Sequence, residues 1–458
     1  RRQNAGDPAD DGVDLKKSLY LRLPPGLTPE QCVERFKSNP LIQFVEVDPI
    51  GEAAEIVPTD PDHGSQWHLS QGPWDNIRAP SAWEITTGSS NVIVAVLDSG
   101  CNTNLAEFSG RTAPGTNFVA PYGLPDDVYG HGTKVAGVLC ASANNGANIA
   151  GVDWGCRLMP VKVLDDTGYG TYFDWAQGIY WAVSNGARVV NLSAGGSAPI
   201  TTDLSEAIAW AVSNGAVFVT VTHNQGLNGV TVPGTHPDAI AVGATDLTGQ
   251  RWTSSNYGTN IALMAPGVDI YTVGKAGNTT NGNGTSYSAP QAAGVASLIL
   301  SIRPELTSRQ VRDLLCEGAD DQVSADPLDT AGYDLYYGWG RLNAYRSLWL
   351  ASFVVTNPAA GARVRVESEL SIAWTGAWPL GAVNVDLWKG TNLVRVLTNG
   401  LVAPTDNMAW DAVLRSPLPG GTDYWVTVTG TNSPADSAAS DKFVIIGGLP
   451  WLNLLLGR

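Results

Sequence analysis

Buried-type strands alternate with helical stretches through most of this 458-residue chain, and no other feature constrains its fold as strongly. The apolar strands are predicted at Val92–Leu97, Leu158–Val163, Val189–Leu192, Val217–Val221 and Ile240–Val242. Helical stretches such as Phe173–Asn185 and Thr201–Asn214 lie between them. Continuous apolar strands that alternate with helices predict an α/β fold, in which a parallel sheet carries helices on both faces. Such folds bind their ligands at the carboxyl ends of the strands.

Two regions outside this pattern predict separate domains. After Leu350 the helices give way to short strands separated by turn residues, which predicts an all-β sandwich of about a hundred residues. Its strands are expected at Val364–Val366, Leu370–Trp374, Val383–Lys389, Val394–Leu397, Tyr424–Thr429 and Lys442–Ile446. Near the start, the strands Leu19–Leu23 and Ile42–Val47 flank a helical segment and predict a small α+β unit. We therefore expect an N-terminal region at 1–55, the α/β domain at 56–350, the sandwich at 352–446 and a tail at 447–458.

Charge and composition bear on partners and location. A net charge of −16 without any run of Lys or Arg disfavours general affinity for nucleic acid, which is itself densely negative. No apolar run reaches the ~18 residues that a membrane-spanning helix needs. Few lysines and many Asn, Thr, Gly and Trp suit an exported protein, so we expect secretion.

The five cysteines form no CxxC pair, which disfavours a zinc site. Their odd number cannot pair completely within one chain. If the N-terminal region were removed, Cys32 would leave with it, and Cys101, Cys140, Cys156 and Cys316 would remain. One or two disulfides and free buried thiols are then equally compatible with the sequence.

Four polar residues stand where predicted strands end or helices begin. Asp98 directly follows the first apolar strand, and Asn224 follows the fourth. His131 lies between two glycines before a helix, and Ser286 precedes a long apolar helix whose dipole favours negative charge. Taken singly, each also fits a structural role as a turn Asp, a structural His, an N-cap Ser or a turn Asn. Together they supply the nucleophile, base, orienting carboxylate and oxyanion donor that hydrolysis by a hydroxyl requires.

The motifs around these residues resemble the subtilisin-like serine protease family. The similar segments are Asp98-Ser-Gly100, His131-Gly-Thr133, Val135-Ala-Gly137, Asn191-Leu-Ser-Ala-Gly-Gly196, Ala241-Val-Gly-Ala244, Met264-Ala-Pro-Gly267, Gly284-Thr-Ser286, Ala289-Pro290 and Gly338-Trp-Gly-Arg-Leu-Asn343. The resemblance extends over Pro58–Leu350, is nearest to the thermitase-like branch, and has the Asp, His, Ser order known for subtilisin. It implies a serine endopeptidase with Ser286 as nucleophile and His131 as general base and acid. Asp98 would orient His131, and Asn224 would donate to the oxyanion.

The resemblance also implies a primary specificity pocket beside the nucleophile. Its walls would be Ser193, Ala194 and Gly195 on one side and Val221, Thr222 and His223 on the other. Small residues there leave room for a large apolar side chain, which predicts broad specificity with a preference for such side chains. Three residues depart from the family: His223 replaces the usual Gly before the oxyanion Asn, Tyr287 replaces Met and Lys134 replaces His. We expect His223 to narrow the pocket or to add a titrating group to it.

The segment 142–149 resembles the calcium loop of the same family, so Ca²⁺ is the expected cofactor. The oxygens would come from the side chains of Asp60, Glu107 and Asn145 and from the carbonyls of Ser142, Ala147 and Ile149. Glu107 stands where the family has Asp, which lengthens the reach of that ligand. An ordinary Asn-Gly turn without an ion is the alternative.

Both flanking regions resemble modules found with this family. Residues 15–50, above all Arg35–Asp48, resemble the second half of an inhibitory propeptide, which implies a zymogen that cuts itself near Gly51–Pro58. The propeptide would then be an intramolecular partner; a simple N-terminal extension is the alternative. The region that begins at Thr356 resembles the immunoglobulin-like modules appended to secreted proteins. Substrate binding, surface attachment and stabilisation remain open for it.

Two other classes of function compete with an endopeptidase that acts on proteins or peptides. One is an inactive module of the same fold that binds protein or polysaccharide through the sandwich, and the complete set of catalytic residues argues against it. The other is a lipase or esterase, which would have a Gly-x-Ser-x-Gly motif that is not present around Ser286. Oligomeric state is not indicated by the sequence.

Overall fold

Two compact units divide the chain, Arg1–Ala54 and Glu55–Arg458. The computed structural model describes residues 33, 36, 37, 39, 56–70, 76–119, 123–322, 324–375, 382–402, 408–414, 418–430 and 437–446. In the first unit, Val33 and Phe36 are helical, as predicted for that segment. The two strands predicted there, Cys32 and the tail 447–458 lie outside the described residues.

A seven-stranded parallel sheet forms the centre of the second unit. Its strands are β1 (Ile93–Asp98), β2 (Thr116–Asn117), β3 (Arg157–Lys162), β4 (Ala187–Leu192), β5 (Val217–Val221), β6 (Ile240–Thr245) and β7 (Ile261–Pro266). They lie in the order β2-β3-β1-β4-β5-β6-β7. The predicted parallel sheet is therefore confirmed, and β2 and β7 are edge strands that the apolar pattern did not identify.

Helices cover both faces of this sheet. They are α1 (Trp67–Ser70), α2 (Ala79–Trp83), α3 (His131–Cys140), α4 (Tyr172–Ser184), α5 (Thr202–Ser213), α6 (Thr285–Ile302), α7 (Ser308–Glu317) and α8 (Ala344–Ser352). Alternate residues of β1 serve the two faces: Val94 and Val96 pack in the core with α3 and α6, whereas Ala95 and Leu97 pack with α4 and α5. Period-two alternation in an apolar strand thus supplies both cores.

The C-terminal strands form two sheets around one apolar core. One sheet contains β10 (Val354–Asn357), β12 (Glu369–Thr375) and β15 (Met408–Val413). The other contains β11 (Arg363–Arg365), β13 (Ala382–Lys389), β14 (Asn392–Val402), β16 (Gly421–Gly430), β17 (Ser437–Ala439) and β18 (Phe443–Ile446). A separate hairpin, β8 (Ile270–Val273) with β9 (Thr279–Gly282), precedes α6. Trp349 of α8 and Phe353 belong to the core of the C-terminal sheets and join them to the α/β part.

The described cysteines are buried free thiols: Cys101, Cys140, Cys156 and Cys316. Of the two arrangements left open by the sequence, the structure has the thiols. Among the residues that the structure describes, no helix combines the length and the apolar character that crossing a bilayer requires.

Candidate active site

The predicted catalytic residues meet at the carboxyl edge of the central sheet. Asp98 is the last residue of β1, and Asn224 follows the end of β5 by three positions. His131 is the first residue of α3, and Ser286 is the second residue of α6. Because all strands of this sheet run in the same direction, their carboxyl ends lie along one edge, where these four residues are gathered.

The His131 ring is oriented by the carboxylate of Asp98. His131 Nδ1 lies 2.8 Å from Asp98 Oδ1, and the backbone N–H of Ser99 donates to the same oxygen at 2.7 Å. Asp98 is fully buried, while the His131 side chain keeps 20% of its surface exposed. Burial acts to lower the pKa of His131, but the charge and hydrogen bond of Asp98 outweigh it, so the pKa is raised above its ordinary value. Glycine at position 132 allows the start of α3 to lie close to the loop after β1, because a Cβ there would lie 2.1 Å from the carbonyl oxygen of Gly100.

Asp127 joins the segment after Asp98 to the segment around His131, and it was not among the residues predicted from the sequence. Its Oδ1 accepts hydrogen bonds from the Ser99 hydroxyl at 2.7 Å and from Gly130 N–H at 2.6 Å. Its Oδ2 accepts from the N–H and the hydroxyl of Thr133, at 2.8 and 2.6 Å. The carboxylate thus joins the end of β1 to the first turn of α3. The signal in the sequence that could have identified Asp127 is an acidic residue shortly before the start of a helix.

A buried lysine supports the same corner. Lys162 ends β3 and is 3% exposed. Its Nζ donates to the carbonyls of Ser99 and Asp126 and forms an ion pair with Asp166 at 2.9 Å. Lys162, which lies on the neighbouring strand β3, therefore fixes the position of the loop after Asp98. No local pattern indicates this role, because the lysine lies within an apolar strand.

Ser286 lies in the first turn of α6, next to the Ser193 segment. Its hydroxyl donates to the carbonyl of Ser193 at 3.3 Å, and the Ser193 hydroxyl donates to the carbonyl of Ser286 at 3.1 Å. The ring of the following residue, Tyr287, lies 6.2 Å from the His131 ring, so α6 and α3 converge here. Among the described residues, the hydrogen bond that the Ser286 hydroxyl donates goes to Ser193 and not to the His131 ring.

Asn224 is fixed in the orientation that an oxyanion donor needs. Its Oδ1 accepts hydrogen bonds from the N–H and the hydroxyl of Thr285, both at 2.9 Å. This turns the amide nitrogen towards Gly284, where a built Cβ would lie 3.3 Å from Nδ2. The Asn224 amide therefore lies at the first turn of α6, where the positive end of the helix dipole also lies.

The two predicted pocket walls lie on either side of the first turn of α6. In one wall, Ser193 is hydrogen-bonded to Ser286. The other wall, Val221 and Thr222, is followed closely by Asn224, which accepts a hydrogen bond from Thr285 N–H. Gly195 of one wall lies against the His223 ring of the other. Burial lowers the pKa of His223 below its ordinary value, although Gln225 and the backbone of Gly195 act in the opposite direction.

The predicted calcium residues gather at the loop 142–149. Asp60 accepts hydrogen bonds from the N–H groups of Asn144 and Asn145, at 2.6 and 3.0 Å. Asn145 Nδ2 donates to Glu107 Oε2 at 3.2 Å, while its Oδ1 accepts the N–H of Ala147 at 2.8 Å. Glu107 is fully buried, and burial raises its pKa. Within the described ranges, no three His, Cys, Asp or Glu side chains converge to hold an ion by themselves.

The comparisons with known proteins agree with this geometry. Residues 89–340 match the model of the subtilase family. A thermophilic serine proteinase from Bacillus sp. (strain AK1) is 34% identical over 76% of this chain and 82% of its own. Thermitase from Thermoactinomyces vulgaris is 34% identical over 64% of this chain and 99% of its own. A solved structure of proteases from Pseudoalteromonas arctica has a TM-score of 0.59 and 29% identity, over 64% of this chain and 99% of its own.

The family match includes all four residues at the carboxyl edge. The two named relatives are matched over 82% and 99% of their own length. The seven-stranded parallel sheet with helices on both faces has the subtilisin-like fold of that family. The chain therefore belongs to the subtilase family and is a serine endopeptidase of the subtilisin type.

Proposed function

We propose that Ser286, His131 and Asp98 hydrolyse peptide bonds through an acyl-enzyme. The observation that carries the proposal is the 2.8 Å contact between His131 and Asp98 at the strand edge where Ser286 lies in the first turn of α6. A buried carboxylate beside Nδ1 fixes the ring tautomer and leaves the other nitrogen, Nε2, to accept the serine proton.

The reaction then follows from the atoms at hand. The Ser286 hydroxyl passes its proton to His131 Nε2 as its oxygen attacks the substrate carbonyl carbon. Asn224 Nδ2 and the backbone N–H of Ser286 donate to the oxyanion, which carries the developing charge. His131 returns the proton to the leaving amine as the C–N bond breaks. Water, deprotonated by the same ring, cleaves the ester and restores the hydroxyl.

A covalent serine reagent tests this assignment. We expect casein hydrolysis to be abolished by an organofluorophosphonate that labels Ser286, and the label to be absent from Ser286→Ala. A protein that binds casein without cutting it, and that the reagent does not label, would be an inactive binding module instead.

We further propose that the enzyme is secreted as a zymogen whose residues 1–55 act as its intramolecular inhibitor. The similarity of 15–50 to an inhibitory propeptide supports this. If cleavage near Gly51–Pro58 is autocatalytic, Ser286→Ala stays uncut when purified alone, and mass spectrometry reads this directly. An active enzyme that still begins at residue 1 would contradict processing.

Calcium is proposed to bind at Asp60, Glu107 and the loop 142–149. Glu107 Oε1 is buried and has no hydrogen-bonding partner among the described residues, as expected of an oxygen that faces a cation. Carboxylates, an amide and loop carbonyls are the oxygen ligands that Ca²⁺ prefers. The ion would neutralise the buried carboxylate and hold the loop to the end of α3, and it would take no part in bond cleavage.

For substrate choice, the small residues Ser193, Ala194 and Gly195 support broad specificity among peptide bonds. The preference for large apolar side chains predicted from the sequence requires the space beside Gly195 to be free. For the C-terminal sheets, we propose an immunoglobulin-like stabilising module, because their core is continuous with Trp349 of α8.

A further inference from the structure

Gly195 is enclosed by two side chains from the opposite wall of the predicted pocket. A Cβ built on Gly195 would lie 2.7 Å from His223 Cδ2 and 2.5 Å from Thr231 Oγ1. Both distances are below 3.0 Å, a separation that real Cβ atoms essentially never show, so a larger residue at position 195 would require the ring and the hydroxyl to shift. The space that small wall residues would leave open is therefore occupied by an imidazole and a hydroxyl.

This contact lies beside the nucleophile. Gly195 comes two residues after Ser193, whose carbonyl accepts the Ser286 hydroxyl at 3.3 Å. His223 directly precedes Asn224, whose Oδ1 holds Thr285. An acyl group on Ser286 that points its carbonyl oxygen at Asn224 has to place its side chain between these two segments. The His223 ring is thus in the path of that side chain.

The backbone of His223 also adopts a conformation that favours glycine. Its φ is +88°, in the left-handed region that side chains other than glycine rarely adopt. The ring is half-buried and packs against Gly195, and its Nδ1 has no hydrogen-bonding partner among the described residues, so packing is what restrains it. Strained residues of this kind persist where the surrounding structure fixes them, and they concentrate at functional sites.

We propose that His223, together with Thr231, determines substrate specificity. These two side chains restrict the substrate residue whose carbonyl is attacked to one with a small side chain. The inference rests on the proposed roles of Ser286 and Asn224 and deepens them by naming the substrate class. It replaces a preference for large apolar side chains with a preference for bonds that follow residues such as Ala or Ser.

Two peptide nitroanilides that differ only in the last residue, Ala or Phe, test the proposal with the processed enzyme. We expect the wild type to have the higher kcat/KM for the Ala peptide. In His223→Gly and His223→Ala, the ratio of kcat/KM for Phe over Ala should rise at least about tenfold, the range for adding or removing pocket volume. His236→Ala is the matched control, because this buried histidine faces Asp238 instead, and its ratio should not change.

The two variants separate the ring from the backbone. His223→Gly removes the ring and relieves the left-handed φ, whereas His223→Ala removes the ring alone, so a steric cause predicts the same shift in both. If either variant fails to fold, as judged by titration with the serine reagent, the other still gives the ratio. A wild type that prefers Phe, or an unchanged ratio in the folded variants, overturns the proposal. Failure of the proposed catalytic mechanism is different, because neither peptide would be cut and Ser286 would not be labelled.

Discussion

Replacing Asp127 with Asn should destabilise the protein and slow catalysis, because one carboxylate joins the end of β1 to the start of α3. Asp127 is 8% exposed and accepts four hydrogen bonds of 2.6–2.8 Å, two on each oxygen. An amide keeps only one acceptor oxygen. A hydroxyl of Ser99 or Thr133 can turn and accept from the new NH₂, but a backbone N–H cannot.

The cost follows from that count. One buried backbone N–H, of Gly130 or Thr133, loses its acceptor, which costs about 1–3 kcal/mol. The two bonds that remain lose their charge assistance, which costs roughly 0.5–1 kcal/mol in each case. The sum is about 2–5 kcal/mol, or a fall in Tm of roughly 3–10 °C for a domain of this size. Because the same bonds position Asp98 and His131, kcat should fall by about 10- to 100-fold with little change in KM.

Calorimetry measures the stability change, with Ser286→Ala in both proteins so that neither digests itself. The matched control is Asp246→Asn. The Asp246 carboxylate accepts three hydrogen bonds within its own turn, from the N–H and hydroxyl of Thr248 and from Gln250 N–H, away from β1 and α3. Equal changes of Tm and kcat in the two variants would refute the reasoning, since it assigns the effect to the junction and not to the loss of a charge.

Three further predictions concern other parts of the molecule. Because the pKa of His131 is raised, kcat/KM should fall on the acid side with a midpoint above 6.5, and a flat rate from about pH 5 to 8 would contradict His131 as the base. Chelation of Ca²⁺ should lower Tm more at pH 8 than at pH 5. The pKa of buried Glu107 is raised, so this ligand takes up a proton in acid and binds the ion less well. Glu107→Gln should abolish the difference between the two pH values. Ending the chain after Ser352 should lower stability by about 2 kcal/mol, since Trp349 loses its cover; calorimetry and dye binding would detect this, and an unchanged Tm would contradict a stabilising module.

Much of the catalytic centre could be predicted because its signals are local. An apolar strand that ends in Asp98 and a glycine-flanked His131 before a helix each specify a place at the strand edge. Ser286 before an apolar helix does the same, and the direction of the parallel strands then brings all three to one edge. The residues of β5 are all buried, as a strand covered on both faces requires. The sequence by itself therefore determined the α/β class and the edge of the sheet at which the predicted catalytic residues gather.

The tertiary structure alone decided which distant side chains touch. Asp127 reaches back to Ser99, and His223 lies against Gly195, contacts that depend on how loops of neighbouring strands pack and leave no periodic trace in the sequence. The edge strand β2 has only two residues, and its pairing is induced by β3 beside it rather than by an apolar run of its own. Burial of the thiols as free groups likewise depends on distances between separate elements. Local patterns fix the elements and the places of the predicted catalytic residues, but the contact between His223 and Gly195 depends on non-local packing, which only the folded chain brings about.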